Sequence, residues 1–277
     1  MIRKQLIAGA AALGLAIAIP VSAAAETGSY AAVNGLKMYY QVEGTGRPLV
    51  LLHGGVCTIE ACMGAVRAQL AKGHRTIAME QQGHGRTADI DRPLSYDQMA
   101  EDTAALLKQL KVEGADVVGY SMGGAIALRL AVKYPELVRK VVVFGTGYSA
   151  GGFPPGFLDG FKTLKAEDIP AAFRQQYEKV APDPKRWPAL VEKIKGLVNN
   201  ARDLTPDDLK SIKAPVLVMV GDADIVRPEH AVEMFRLIPN AKLGILPVSD
   251  HFAFVQRSDW IVAMTKAFLE APMPEKK

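Results

Sequence analysis

Six short, solidly apolar runs recur along the chain and restrict what it can fold into: PLVLL near residue 50, TIAM near 77, ADVVG near 117, KVVVF near 142, PVLVMV near 218 and LGIL near 245. Runs that are apolar at every position suit strands buried on both faces, as in a parallel sheet covered by helices. Helical patterns fill the intervals. Ser95 reads as an N-cap with Gln98 three positions on, and Tyr96, Met99, Thr103, Leu106 and Leu110 follow at spacings of three and four. A second pattern runs from Met122 to Tyr134 and stops at Pro135; a third spans Asp259 to Leu269. Strand and helix alternate, so the expected fold is α/β with a mostly parallel sheet.

Two places depart from this rhythm. At the front, SYAAV and LKMYYQV flank Asn34-Gly35, a strong hairpin signal, so the sheet should open with an antiparallel pair. Further on, about 75 residues separate Val142 from Val218, where most strands are about 25 to 40 apart. The excess, 149–212, begins with the turn-rich SAGGFPPGF and continues through IPAAFRQQYEKV and WPALVEKIKGLV. It reads as a helical insertion over one edge of the sheet, which leaves 26–148 and 213–277 as the core.

The N-terminus is a different kind of segment. Arg3 and Lys4 precede a 14-residue apolar run, Leu6 to Ile19, then Pro20 and an Ala-x-Ala pair at Ala23 and Ala25. That run is short for a bilayer span of about twenty residues, so 1–25 reads as a cleaved signal peptide and the protein as periplasmic or secreted, with no stable membrane association afterwards. The formal charge is +4 with Arg3 and Lys4 and +2 without them, too near neutral to imply a nucleic-acid partner. No Cys/His cluster has metal-ligand spacing, and no cofactor is expected. Cys57 and Cys62 could bridge in an exported protein. On one regular helix, however, their Cα atoms would be too far apart, so free, partly buried thiols are expected.

GYSMGG, residues 119–124, carries the clearest chemistry. The Gly and Ser frequencies of this chain alone would produce a G-x-S-x-G match in about one chain in fifteen, so context must decide. Here an apolar strand ends at Gly119, Ser121 follows on a turn and a helix starts at once. A serine hydroxyl is a poor nucleophile without a base, and the base needs a carboxylate to hold its tautomer. In this setting acid and histidine follow the serine on later loops. VLVMVGDAD supplies Asp222 and Asp224, between which spacing does not choose, and LGILPVSDH supplies His251. Asp250 adjoins His251, and adjacent side chains diverge. Of the other histidines, His53 and His84 sit in HGG and GHG turns suited to bracing a loop, His74 reads as a surface residue, and His230 as solvated or capping at a helix start. Two backbone donors would complete an oxyanion hole: Met122, after the serine, and Gly55 in LLHGGV, with Val56 as its alternate.

These pieces, LLHGG, EQQGHGRT, GYSMGG, GDADIVRP and DHF, make the chain resemble the α/β-hydrolase superfamily, specifically its serine carboxylesterase-like branch with a helical cap, over nearly all of residues 26–277. The resemblance implies about eight strands, a cap formed by 149–212, Ser121 as nucleophile, Asp224 as acid through its G-x-x-D position, His251 as base, and Gly55 and Met122 as oxyanion donors. One departure is visible: members usually read Asp-x-Arg-Gly-His-Gly where this chain has Glu80 and Gln82 ahead of Gly83-His84-Gly85. Serine at the nucleophile position argues against the dehalogenase and epoxide-hydrolase branches.

The expected reaction is hydrolysis of a small-molecule carboxylic ester through an acyl-enzyme. Lactone or carbon–carbon bond hydrolysis with the same residues, cofactor-free perhydrolysis, and a non-catalytic binding module are the alternatives. Phe153, Phe157, Phe161, Phe173, Tyr177 and Trp187 either line an apolar pocket, favouring a hydrophobic acyl or aryl ester, or pack the insertion onto the sheet.

Overall fold

The computed structural model describes residues 28–275, so the segment read as a signal peptide lies outside the described residues. In chain order the strands are β1 (Ser29–Val33), β2 (Leu36–Glu43), β3 (Arg47–Leu52), β4 (His74–Met79), β5 (Ala115–Tyr120), β6 (Val138–Phe144), β7 (Val216–Gly221) and β8 (Ala241–Leu246). The helices are α1 (Gly64–Leu70), α2 (Tyr96–Gln109), α3 (Met122–Lys133), α4 (Asp159–Lys162), α5 (Ala171–Val180), α6 (Trp187–Asn199), α7 (Pro206–Ser211), α8 (Pro228–Leu237), α9 (Ala253–Gln256) and α10 (Ser258–Glu270).

All eight strands form one sheet in the order β1-β2-β4-β3-β5-β6-β7-β8. Strand β2 is antiparallel to both of its neighbours. The remaining pairs are parallel. The opening hairpin turns at Asn34 and Gly35, with φ of 47° and 85°, the left-handed pair that a two-residue turn between twisted strands requires.

Alternate residues of each buried strand feed two cores. On β3, Val50 and Leu52 join Met99 and Leu106 of α2 and Ile126 and Leu130 of α3. Leu49 and Leu51 point the other way, to Val66 and Leu70 of α1 and Ile261 and Leu269 of α10. Helices on both faces therefore explain why the central runs are apolar throughout. The LGIL run is different: β8 is a sheet edge, and Ile245 is 43% exposed.

Between β6 and β7 the chain is helical, as α4 to α7. Trp187 and Tyr177 are buried there with ring centroids 5.5 Å apart. Lys193 of α6 ties this stretch to the loop after β4, donating to Asp89 at 2.6 Å and to the carbonyls of Ile90 and Arg92 at 2.7 and 3.0 Å.

The cysteines correct the sequence reading. Cys57 and Cys62 form a disulfide, with Cα atoms 6.0 Å apart. They do not share a regular helix: Thr58 is an extended N-cap, and residues Ile59–Met63 wind as a wider π turn, which brings Cys62 back towards Cys57.

Lys140 on β6 is 1% exposed, and its ammonium donates to the carbonyls of Phe268 at 2.9 Å, Leu269 at 3.1 Å and Ala271. It places a cation on the orphan carbonyls of the α10 C-terminus. Lys140→Met should lower stability by about 2 kcal/mol, because three buried acceptors lose their donor. A lower urea midpoint at unchanged m-value would report this loss.

Candidate active site

The turn between β5 and α3 is built by glycines that let backbone approach backbone. A Cβ on Gly119 would lie 2.3 Å from the Gly123 carbonyl oxygen, one on Gly123 2.0 Å from the Leu52 carbonyl oxygen, and one on Gly124 2.7 Å from the Thr146 methyl. Ser121 at the apex has φ 52° and ψ −116°, a sparsely populated conformation for a residue with a side chain. Its N–H donates to the Phe144 carbonyl at 2.9 Å, and its own carbonyl accepts from Gly124 and Ala125 at the start of α3. The turn is thus tied to β6 on one side and to its helix on the other.

Loops after β7 and β8 bring two more side chains to this apex. The Ser121 hydroxyl and His251 Nε2 are 3.0 Å apart, and His251 Nδ1 lies 2.8 Å from Asp224 Oδ1. The Asp224 side chain is fully buried and also accepts from Val226 N–H at 3.2 Å and Gly221 N–H at 3.4 Å. With Nδ1–H directed to the carboxylate, Nε2 is free to accept the serine proton.

Asp222, the other carboxylate of GDAD, does not reach His251. Its two oxygens accept from Val248 and Ser249 N–H, each at 2.9 Å, and these bonds hold its carboxyl below the usual range. Val248 carries a left-handed φ of 50° and is 80% exposed, so Asp222 anchors a strained turn three residues before His251. Asp250 accepts from Phe252 N–H at 2.9 Å. Tyr120, next to the serine, donates its phenol to the His251 carbonyl at 3.1 Å and stacks on Phe254 at 4.7 Å. The Asp222 and Tyr120 braces are not evident from spacing, since each joins segments far apart in the chain.

Met122 is the first residue of α3, where a helix leaves its N–H groups without internal partners. The HGG loop lies against the serine: a Cβ on Gly54 would sit 3.5 Å from the Ser121 Cβ, and one on Gly55 would meet Ile194 of α6 at 3.7 Å. Val56, the next residue, is left-handed with φ 56°, an outlier for a β-branched side chain.

The remaining histidines are braces. His53 Nδ1–H donates to the Gly54 carbonyl at 2.7 Å while Nε2 accepts from Gln81 N–H at 3.1 Å; His84 Nδ1–H donates to the Gln82 carbonyl at 2.9 Å. Both rings are fully buried, 5.0 Å apart. Burial pushes His53 down to about 4, and burial together with His53 pushes His84 down to about 3. His230 corrects its reading as a solvated residue, for it is buried, stacks on Tyr148 at 4.5 Å and accepts from Tyr148 N–H at 3.2 Å. Its proximity to Gly152, where a Cβ would lie 2.6 Å from the imidazole, shows how tightly α8 packs on the start of the insertion. His74 opens β4 half-buried, 3.3 Å from the Leu70 carbonyl.

At the GHG loop, where Glu80 and Gln82 stand in place of the usual Asp and Arg, Glu80 finds its cation six residues on. Glu80 is buried and meets Arg86 at 3.1 Å, and Arg86 also holds Glu60 at 2.9 Å. Gln82 accepts from Arg92 Nε at 2.8 Å, and Arg92 pairs with Asp102 at 2.6 Å.

A cavity of about 80 Å³ opens beside Ser121, lined by residues including Met122, Arg129, Thr146 and Phe153. Of the six aromatics of the insertion, Phe153 lines it. Phe157 stacks between Phe153 and Phe161, Phe173 packs on Phe252, and Tyr177 on Trp187.

Comparison with known proteins agrees with this architecture. Residues 49–264 match the family described as "Alpha/beta hydrolase family". The chain is 28% identical over 250 residues to the AB hydrolase superfamily protein YisY of Bacillus subtilis, covering 81% of this chain and 92% of that one. It is 27% identical to the human serine hydrolase BPHL, covering 88% and 87% respectively. A crystal structure of a putative lipase from Acinetobacter baumannii superposes with a TM-score of 0.77 at 22% identity, covering 88% of this chain and 90% of that one. The chain belongs to the alpha/beta hydrolase family and is a hydrolase.

The buried histidines set an acid limit on stability. His53 and His84 bind protons less readily folded than unfolded, so their contribution is complete above about pH 6.5 and falls as pH drops towards 4 and 3. Glu80, raised by burial to about 7, acts in the opposite sense and offsets part of the loss. Urea midpoints should therefore fall between pH 6.5 and 4, and fall less steeply in His84→Gln.

Proposed function

We propose that this hydrolase cleaves carboxylic esters by acyl transfer through Ser121. The observation that carries the reading is the unbroken hydrogen-bond chain from the Ser121 hydroxyl through His251 to the buried Asp224, at 3.0 and 2.8 Å, with the serine held at the apex of a strained turn. His251 takes the serine proton as Ser121 attacks the ester carbonyl and returns it to the leaving alcohol. Asp224 holds the imidazole tautomer and stabilises the imidazolium. Amides of Met122 and Gly55 receive the developing oxyanion, the first supplied by a helix N-terminus. Water activated by His251 then releases the acid and restores the serine. Every step uses side chains and backbone amides of this chain.

The stretch 149–212 acts as a cap over this centre, with Phe153 and Ile194 facing it. Because most of its aromatics pack among themselves, a small cavity is left beside the serine, which favours short acyl groups. Residues 1–25 direct export, and the mature enzyme works outside the cytoplasm.

A fluorophosphonate should label wild type at Ser121 and leave Ser121→Ala unlabelled. On p-nitrophenyl esters graded by acyl length, turnover should peak at short chains. Ser121→Ala and His251→Ala should each lower kcat by about 10⁴-fold or more, and the double variant should be no worse than either single one, because the residues act as a unit. Chain-length-independent turnover that survives Ser121→Ala would overturn the reading. Asp222→Ala, which frees the turn before His251, should lower kcat by about tenfold with little change in KM, since small misplacements of a base weaken proton transfer more than substrate binding.

A further inference from the structure

The cavity beside Ser121 has a cationic end that hydrolysis of a simple ester does not use. Ser121, Met122, Ala125 and Arg129 line it, so it runs along one face of α3 away from the serine. Eight residues correspond to about 12 Å of helix axis. The backward tilt of helical side chains brings the guanidinium nearer to Ser121 than that.

Arg129 is 3% exposed, yet its charge is thinly compensated. Nη1 donates to the Ala125 carbonyl at 3.2 Å and Nη2 to the Arg202 carbonyl, while Nε makes no hydrogen bond. Asp97 Oδ1 stands 3.8 Å from Nε and is held more closely by Lys133, at 2.9 Å. Asp203, a carboxylate of the same lining, accepts from Ala150 N–H at 3.0 Å. The Tyr96 ring, also in the lining, lies 4.9 Å from the guanidinium. Burial pulls the Arg129 guanidinium below its ordinary range despite the charges of Asp97 and Asp203. A buried cation whose direct hydrogen bonds go to two carbonyls, with Asp97 shared and Asp203 engaged by a backbone amide, is costly, and a bound anion offsets that cost. Guanidinium suits a carboxylate in particular, through paired N–H donors.

We propose that Arg129 determines specificity at the far end of the acyl subsite, and that the preferred substrates are half-esters of short dicarboxylic acids. The free carboxylate pairs with Arg129 while the esterified carbonyl sits at Ser121. Hydrolysis breaks the acyl C–O bond, adds the hydroxyl of water to the acyl carbon, returns a proton to the leaving alcohol and releases the dicarboxylic acid. This inference rests on the esterase reading above.

Matched substrates test it. Wild type should prefer mono-p-nitrophenyl glutarate to p-nitrophenyl valerate by about tenfold or more in kcat/KM, the strength of one good charge pair. That ratio should fall towards one in Arg129→Gln and recover in part in Arg129→Lys. Independently of whether these variants fold, glutarate should compete with ester on wild type at least about tenfold more strongly than valerate. A ratio near one in wild type, a preference that Arg129→Gln leaves unmoved, or glutarate binding no better than valerate would overturn the subsite. If both esters went unhydrolysed and the fluorophosphonate left Ser121 unlabelled, the esterase reading itself would fall and the subsite with it. Labelling of Ser121 with an indifferent ratio removes the subsite alone.

Discussion

The site depends on backbone crossing backbone at the end of β5. A Cβ on Gly119, Gly123 or Gly124 would lie 2.3, 2.0 or 2.7 Å from Gly123, Leu52 or Thr146 respectively. That closeness lets α3 start immediately after the strand and leaves Ser121 in a left-handed conformation at the top of the sheet. Strain of this kind persists where the surroundings over-determine it. Here the surroundings are β6 through the Phe144 carbonyl, the first turn of α3, and the β3 loop against the serine.

The same device recurs on the neighbouring loops. Val56 follows the HGG turn and Val248 precedes His251, both β-branched and both left-handed. Val248 is held by the Asp222 carboxylate on the Val248 and Ser249 amides, and Val56 is followed directly by the Cys57–Cys62 disulfide. Tyr120 joins the two halves, sitting beside the serine and bonding to the histidine's carbonyl. The strained turns at Ser121 and Val248 are thus fixed by bonds whose partners are distant in sequence, which is how a preorganised site is kept on loops.

Much of this was legible beforehand, for identifiable reasons. The six apolar runs became β3 to β8 because strands covered on both faces have no polar alternation to obscure them. Asn34-Gly35 became the hairpin turn because both positions need positive φ. The less legible parts were decided by neighbours. LGIL looked like a central strand, but among the described residues β8 is an edge strand, and Ile245 meets solvent. Cys57 and Cys62 looked unable to bridge until the π turn shortened the path between them. His230 looked solvated at its helix start until Tyr148, from the far side of the insertion, covered it.

The sequence by itself determined the α/β alternation and the opening hairpin, and put forward the insertion and the candidates Ser121, Asp222 or Asp224, and His251, because periodicity and turn chemistry act over a few residues. Spacing left the two aspartates open and the family resemblance pointed to Asp224; the tertiary structure sets Asp224 against His251 and Asp222 against the turn behind it. It also turned Arg129 from one more residue of an apolar helix into the end of the cavity that Ser121 begins. The choice of aspartate depends on side chains and amides meeting across loops 26 and 27 residues apart in the chain. No local pattern encodes that meeting; it follows from how the sheet orders its strand ends.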